Sequence, residues 1–154
     1  MRQLVPEIER LKKRFPPGRE SSLVLPCLHL VQKERGHVAD EDIAFLVAQL
    51  GVPRVQIEEA LSFYTMFRRR PIGRHLVEVC RNVSCSMLGS DRILAHLKAT
   101  LGVSPGETTP DGRITLATAE CLASCGTGPV MVVDGAYHER LTEERVDAIL
   151  KELA

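Results

Sequence analysis

Four of the chain's five cysteines stand as two close pairs in its second half. Cys80 and Cys85 are separated by Arg81-Asn82-Val83-Ser84, and Cys121 and Cys125 by Leu122-Ala123-Ser124. Thiolates are soft ligands, so two such pairs can each hold one metal of a binuclear centre, or together hold one tetrahedral ion. A thioredoxin-type redox dithiol needs Cys-x-x-Cys, and neither pair has that spacing. Spacing alone leaves three chemistries open: a 2Fe-2S cluster with two thiolates per iron, a structural zinc, and disulfides. The fifth cysteine, Cys27, has only His29 at a comparable spacing, and on a helix the two side chains point apart. It reads as a buried structural thiol.

The residues around the pairs weigh toward the cluster. Two ferric ions, two sulfides and four thiolates carry a charge of about −2, and about −3 after reduction. Burying such charge uncompensated costs several kcal/mol per unit. N–H groups must therefore face the sulfurs, each charge-assisted bond contributing roughly 1.5–3 kcal/mol. Ser84, Ser86, Gly89, Ser124, Gly126, Thr127 and Gly128 are small enough to let backbone amides approach. Zinc knuckles also use glycine, so zinc stays open. Gly126-Thr127-Gly128 begins like a dinucleotide fingerprint, but Pro129 and Met131 follow and no third glycine opens a helix.

No catalytic set accompanies the cysteines. There is no Ser-His-Asp or paired-carboxylate arrangement, and His29, His37, His75, His96 and His138 read as ordinary polar or capping residues. The 154 residues suffice for one domain or a small domain with a helical extension. The longest apolar run, Leu23 to Val31, is broken by Pro26 and His29 and is too short to cross a bilayer. No apolar signal segment follows Met1-Arg2-Gln3-Leu4, so the expected location is cytoplasmic, where paired cysteines serve as ligands or redox groups more often than as disulfides. The zero net charge divides into +4 over residues 1–74 and −4 over residues 75–154. No sustained basic stripe points to nucleic acid. The asymmetry suits two parts with separate protein interfaces.

The elements that must position the cysteines follow from periodicity. His75 to Cys80 alternates as a strand with the first cysteine at its end, and Cys85 sits in a loop from Arg81 to Leu88. Ile93, Leu94, Leu97 and Leu101 mark a helix from Ser90 to Leu101, stopped by Gly102. Thr109-Pro110-Asp111-Gly112 is a turn, and Arg113 to Ala119 a second strand, which implies a parallel crossover. After the loop from Cys121 to Gly128 come a buried strand, Val130 to Val133, an Asp134-Gly135 hairpin turn and a returning strand from Ala136. Thr142 caps a last helix with Val146, Ile149, Leu150 and Leu153 on its apolar face. The order β-α-β-β-β-α with a mixed sheet resembles a thioredoxin-like fold, in which Pro129 occupies the place where a cis proline is often found.

The first half reads as four short helices. Leu4, Ile8, Leu11 and Phe15 mark the first, ended by Pro16-Pro17-Gly18. Ser22 is expected to cap the second, which buries Val24, Cys27, Leu28 and Val31 and stops at Gly36. Asp40 is expected to cap the third, with Ile43, Leu46, Val47 and Leu50 inward, and a fourth runs from about Pro53 to Leu61. Phe63-Tyr64-Thr65-Met66-Phe67, followed by an arginine-rich stretch, reads as an apolar plug docking this half onto the second, or as a subunit interface. The expected architecture is α/β: an N-terminal helical bundle, 1–72, followed by a thioredoxin-like domain, 73–154, with a mixed four-stranded sheet.

Cys80-x4-Cys85, then 35 residues, then Cys121-x3-Cys125 followed by Gly-Thr-Gly-Pro resembles the thioredoxin-like 2Fe-2S ferredoxin family. The likeness runs upstream through Ser62-Phe63-Tyr64 and covers nearly the whole chain. Members include the small iron–sulfur subunit of the NADH dehydrogenase module of complex I, with relatives in NAD-linked hydrogenases, formate dehydrogenases and electron-bifurcating complexes. The resemblance implies that Cys80, Cys85, Cys121 and Cys125 ligate a 2Fe-2S cluster. It implies an electron carrier without its own substrate site, beside a flavoprotein that holds FMN, binds NAD(P)H and carries its own iron–sulfur cluster. It further implies membership of a larger redox complex, at most peripheral to a membrane. A free ferredoxin and a zinc-stapled interaction module are the alternatives.

Overall fold

Leu4, Ile8 and Leu11 share one stripe, and the stripe forms helix α1 (Val5–Lys12). The computed structural model describes residues 2–153. The chain leaves α1 through Pro16-Pro17-Gly18, where Gly18 is left-handed at φ 79°. A 3-10 turn over Glu20–Leu23 leads directly into α2 (Val24–Arg35). Ser22 lies inside that turn and caps nothing, which corrects the sequence expectation. Leu23 before α2 is already helical, at φ −84° and ψ −12°, so no extended cap residue precedes the helix.

Helix α3 (Asp40–Leu50) also begins differently from the expectation. Its extended cap residue is Ala39, and Asp42 rather than Asp40 closes the first turn by accepting from the Ala39 N–H at 2.8 Å. Asp42 is fully buried and accepts from Arg35 at 2.8 Å, whereas Asp40 pairs on the surface with Arg54 and Arg69. Helix α4 (Arg54–Phe63) completes the layer. The core of this unit includes Ile8, Cys27, Leu28, Val31, Ile43, Leu46 and Ile57, as the stripes require.

The aromatic stretch after α4 is divided. Phe67 is buried in the helical core with Tyr64 half-buried against it, while Phe63 is 79% exposed. The expected single plug therefore splits, because α4 stops at Phe63 and the chain turns before Phe67 packs inward. The chain divides between Pro71 and Ile72 into two compact units.

In the second unit, β1 (His75–Cys80) runs parallel to β2 (Ile114–Ala119), with Cys80 opposite Ala119. Strand β3 (Met131–Val133) is antiparallel to β1, and β4 (Ala136–His138) to β3. The mixed sheet has the order β2-β1-β3-β4. Asp134 and Gly135 have φ of 50° and 89°, the positive values that a type I′ hairpin turn needs. Between β1 and β2 lie a one-turn helix, α5 (Val83–Met87), and α6 (Ser90–Leu101); α7 (Glu143–Glu152) closes the unit, capped by Thr142.

Strand alternation then separates two environments. Val77 and Val79 of β1 join Ile114, Leu116 and Met131 in one core with Ile93 and Leu97 of α6 and Val146 of α7. Cys80, one residue beyond Val79, goes to the other side and forms a small cluster of its own with Cys85 and Val130. The crossover connection thus delivers the first cysteine to a site away from the main core.

Candidate metal centre

Pairing of β1 with its neighbours sets the position of Cys80. Its N–H donates to the Val130 carbonyl at 3.1 Å, and the next N–H, of Arg81, donates to Ala119 at 2.9 Å. The chain then leaves the sheet at Asn82, which is extended and whose side chain accepts from the Ser84 N–H at 3.3 Å. That cap starts α5, so Cys85 rides on a helical turn and not in the irregular loop that composition suggested. Cys80 and Cys85 are each 1% exposed and share a small buried cluster with Val130.

The second pair is presented by a loop with tight local geometry. Ala123 is left-handed at φ 55°, and Cys125–Thr127 form a 3-10 turn. The Ala123 N–H donates to Cys121 Sγ at 3.3 Å. Cys121 and Cys125 are exposed, in contrast to the first pair. The Gly128-Pro129 bond is cis, as the position of Pro129 ahead of β3 led us to expect. A side chain at Gly128 would meet Leu88 Cδ1 at 2.9 Å and Cys85 Sγ at 3.4 Å, so a bare glycine lets this backbone lie close to the sulfur.

The thiols do not share one proton affinity. Burial alone would raise Cys80, but the backbone N–H groups of Asn82 and Leu122 and the Cys85 thiol outweigh it and bring Cys80 below its ordinary value. Cys85 is pushed up to about 11, by burial first and then by its hydrogen bond to Cys80 and the negative charge of Cys80 and Cys125, with the Val130 backbone opposing. Amide donors aimed at sulfur are what a buried thiolate ligand requires.

These residues fit an iron–sulfur group. All five cysteines are free, and the four of the two pairs bring soft donors with backbone N–H groups and a bare glycine among them. Among the described residues no three His, Cys, Asp or Glu side chains are gathered tightly enough to hold a single ion. The donors come two and two, from α5 with the end of β1 and from the loop after β2. Cys27, fully buried in the helical unit, stands apart from them, as expected.

Two residues beside the cysteines escaped sequence reading. Asn82 starts α5, and its signal, an Asn able to cap the residues that follow it, was available. Glu139 accepts from Ser124 and Thr127 in the second cysteine loop, a contact across 15 residues that no local pattern announces.

The family model for thioredoxin-like 2Fe-2S ferredoxins matches residues 8–154. The chain is 46% identical over 145 residues to an NADH-quinone oxidoreductase subunit of Rhizobium meliloti, covering 94% of this chain and 85% of that one. It is 41% identical over 140 residues to an NADH-quinone oxidoreductase subunit of Mycobacterium bovis, covering 91% of this chain but 55% of the longer relative. In fold it is similar to part of a NAD+-reducing NiFe-hydrogenase in the air-oxidized state, with a TM-score of 0.73 and 24% identity over 85% of this chain and 22% of that one.

Proposed function

The chain belongs to the thioredoxin-like 2Fe-2S ferredoxin family, whose cofactor is a 2Fe-2S cluster, and on that premise we propose that Cys80, Cys85, Cys121 and Cys125 hold the cluster in an electron-transfer subunit of an NADH-linked oxidoreductase complex. The observation that carries the assignment is the buried cluster of Cys80, Cys85 and Val130, against which Leu122, the residue after Cys121, packs, so that the second cysteine loop is brought against the first pair.

When bound, the cluster supplies a one-electron carrier. The chain's residues bind and tune it. Asn82, Leu122, Ala123 and Val130 offer backbone N–H groups to the sulfurs, which favours the thiolate form and the more negative charge state. Leu122, half-buried against Cys80, Cys85 and Val130, helps to limit water on that side. The exposed Cys121–Cys125 loop leaves a less enclosed side, through which an electron has a shorter path outward.

NADH gives up a hydride, two electrons together, and this chain carries neither a dinucleotide fingerprint nor a flavin site in its sequence. A group able to take a hydride and return single electrons must stand between them, and a flavin does that. The proposed partner is therefore an FMN-bearing flavoprotein with its own iron–sulfur cluster, consistent with relatives that are named as subunits of NADH-quinone oxidoreductase.

The test is anaerobic reconstitution of the purified chain with iron and sulfide. Two irons and two sulfides per chain, visible absorption that bleaches on reduction, and a paramagnetic signal from the reduced form are expected. A colourless protein that retains stoichiometric zinc overturns the assignment.

A further inference from the structure

The loop bearing Cys121 and Cys125 is strapped from outside. Ser124, adjacent to Cys125, donates to Glu139 Oε1, and Thr127 donates to the same oxygen at 2.6 Å. The two hydroxyls lie 2.7 Å apart, so one carboxylate oxygen and two hydroxyls knot the turn that contains Cys125. The backbone is tied beside them: the Arg140 N–H donates to the Thr127 carbonyl at 2.8 Å, and the Leu141 N–H to the Pro129 carbonyl at 3.1 Å. The link between β4 and α7 thereby grips the loop from residue 124 to residue 129. The two hydroxyl donors hold the Glu139 carboxyl below the usual carboxylate range, so it carries its charge at neutral pH.

We infer that Glu139 is a positioning residue for the metal centre: through Ser124 and Thr127 it fixes the Cys125 turn, and it sets a negative charge next to the loop that offers two of the four thiolates. This rests on the assignment of Cys121 and Cys125 as ligands. Groups that orient metal ligands from behind are worth about 10–100-fold in metal affinity when removed. A fixed negative charge also disfavours reduction, which adds a further negative charge to the same region. The knot and the charge have separable consequences.

The experiment uses the full chain, reconstituted anaerobically, as wild type, Glu139→Gln, Glu139→Ala and the double variant S124A/T127V. Glu139→Gln keeps an oxygen acceptor for both hydroxyls and removes the charge; it is expected to retain its iron and sulfide and to titrate at a higher midpoint potential than wild type. S124A/T127V keeps the charge and removes the knot; it is expected to lose iron to a chelator about tenfold faster or more. Glu139→Ala should do both. Circular dichroism of each metal-free form reports whether the fold itself has changed, which a positioning role leaves intact. A wild-type midpoint in Glu139→Gln overturns the charge role, and wild-type iron loss in both S124A/T127V and Glu139→Ala overturns the positioning role. A wild-type chain that takes up no iron instead sinks the four-cysteine assignment.

Discussion

Cys27 and Cys85 both hold their protons more tightly than an ordinary thiol, but for different reasons. Cys27 sits fully buried in an apolar core and is pushed up to about 11 by that burial, with the charge of Lys12 opposing weakly. A proton bound more tightly in the folded than in the unfolded state stabilises the fold below the unfolded pKa, here about 9, and that stability is lost as pH rises toward 11. The helical unit should thus lose roughly 2–3 kcal/mol of stability across that window. Denaturant titrations of wild type and Cys27→Ala at neutral and alkaline pH check this; an equal alkaline loss in both proteins removes the explanation. Among the other four cysteines, serine at any position should lower the iron bound on reconstitution, whereas Cys27→Ser should bind iron as wild type does. In the metal-free protein, exposed Cys121 and Cys125 should be alkylated well before buried Cys80, Cys85 and Cys27, with mass spectrometry giving the order.

Single backbone approaches decide how the elements fit. Gly73 leads into β1, and its N–H donates to Thr115 Oγ1 at 2.7 Å. A methyl group there would lie 2.9 Å from the Arg113 carbonyl carbon and oxygen. Gly73→Ala should push the start of β1 away from β2 and destabilise the second unit by about 1–3 kcal/mol in urea denaturation. Gly128 differs, because its nearest obstacle is the end of the half-exposed Leu88 side chain, which can move. In the helical unit, Asp42 both closes the first turn of α3 and holds Arg35. Asp42→Ala should cost about 2–4 kcal/mol through the lost cap and the lost charge-assisted bond, against near-neutral behaviour for the surface residue Asp40. Equal effects at the two positions would show that the capping geometry has been misread.

At the scale of the whole molecule, each unit has its own core and its own arrangement of elements. The cysteine pairs belong entirely to the second unit, so the first unit supplies none of the proposed ligands. We expect a chain lacking residues 1–70 to reconstitute with colour but to lose co-purification with the proposed flavoprotein; co-purification retained by the truncated chain argues against an interface on the helices. The helical unit carries features suited to such an interface, with Phe63 and Val55 exposed on α4 and Met66 beyond it. No helix among the described residues is long and apolar enough to cross a membrane.

Much of this protein was legible in the chain because the relevant information is local. Stripes such as Leu4-Ile8-Leu11, the stops at Gly36, Gly51 and Gly102, the Asp134-Gly135 turn and the cap at Thr142 each depend on residues within one turn or one strand pair. The two cysteine pairs were equally visible, and so were the small residues around them. Tertiary structure decided what those patterns left degenerate. Asp40 and Asp42 are both competent caps, and burial against Arg35 selected Asp42. Ser22 lost its role because the preceding turn already entered the helix. The packing of Leu122 and Val130 against Cys80 and Cys85, and the grip of Glu139 on the Cys125 turn, arise only where segments distant in sequence meet. Periodicity specifies which face of an element turns inward; it carries no information about which distant segment or carboxylate the folded chain will bring against a cysteine loop.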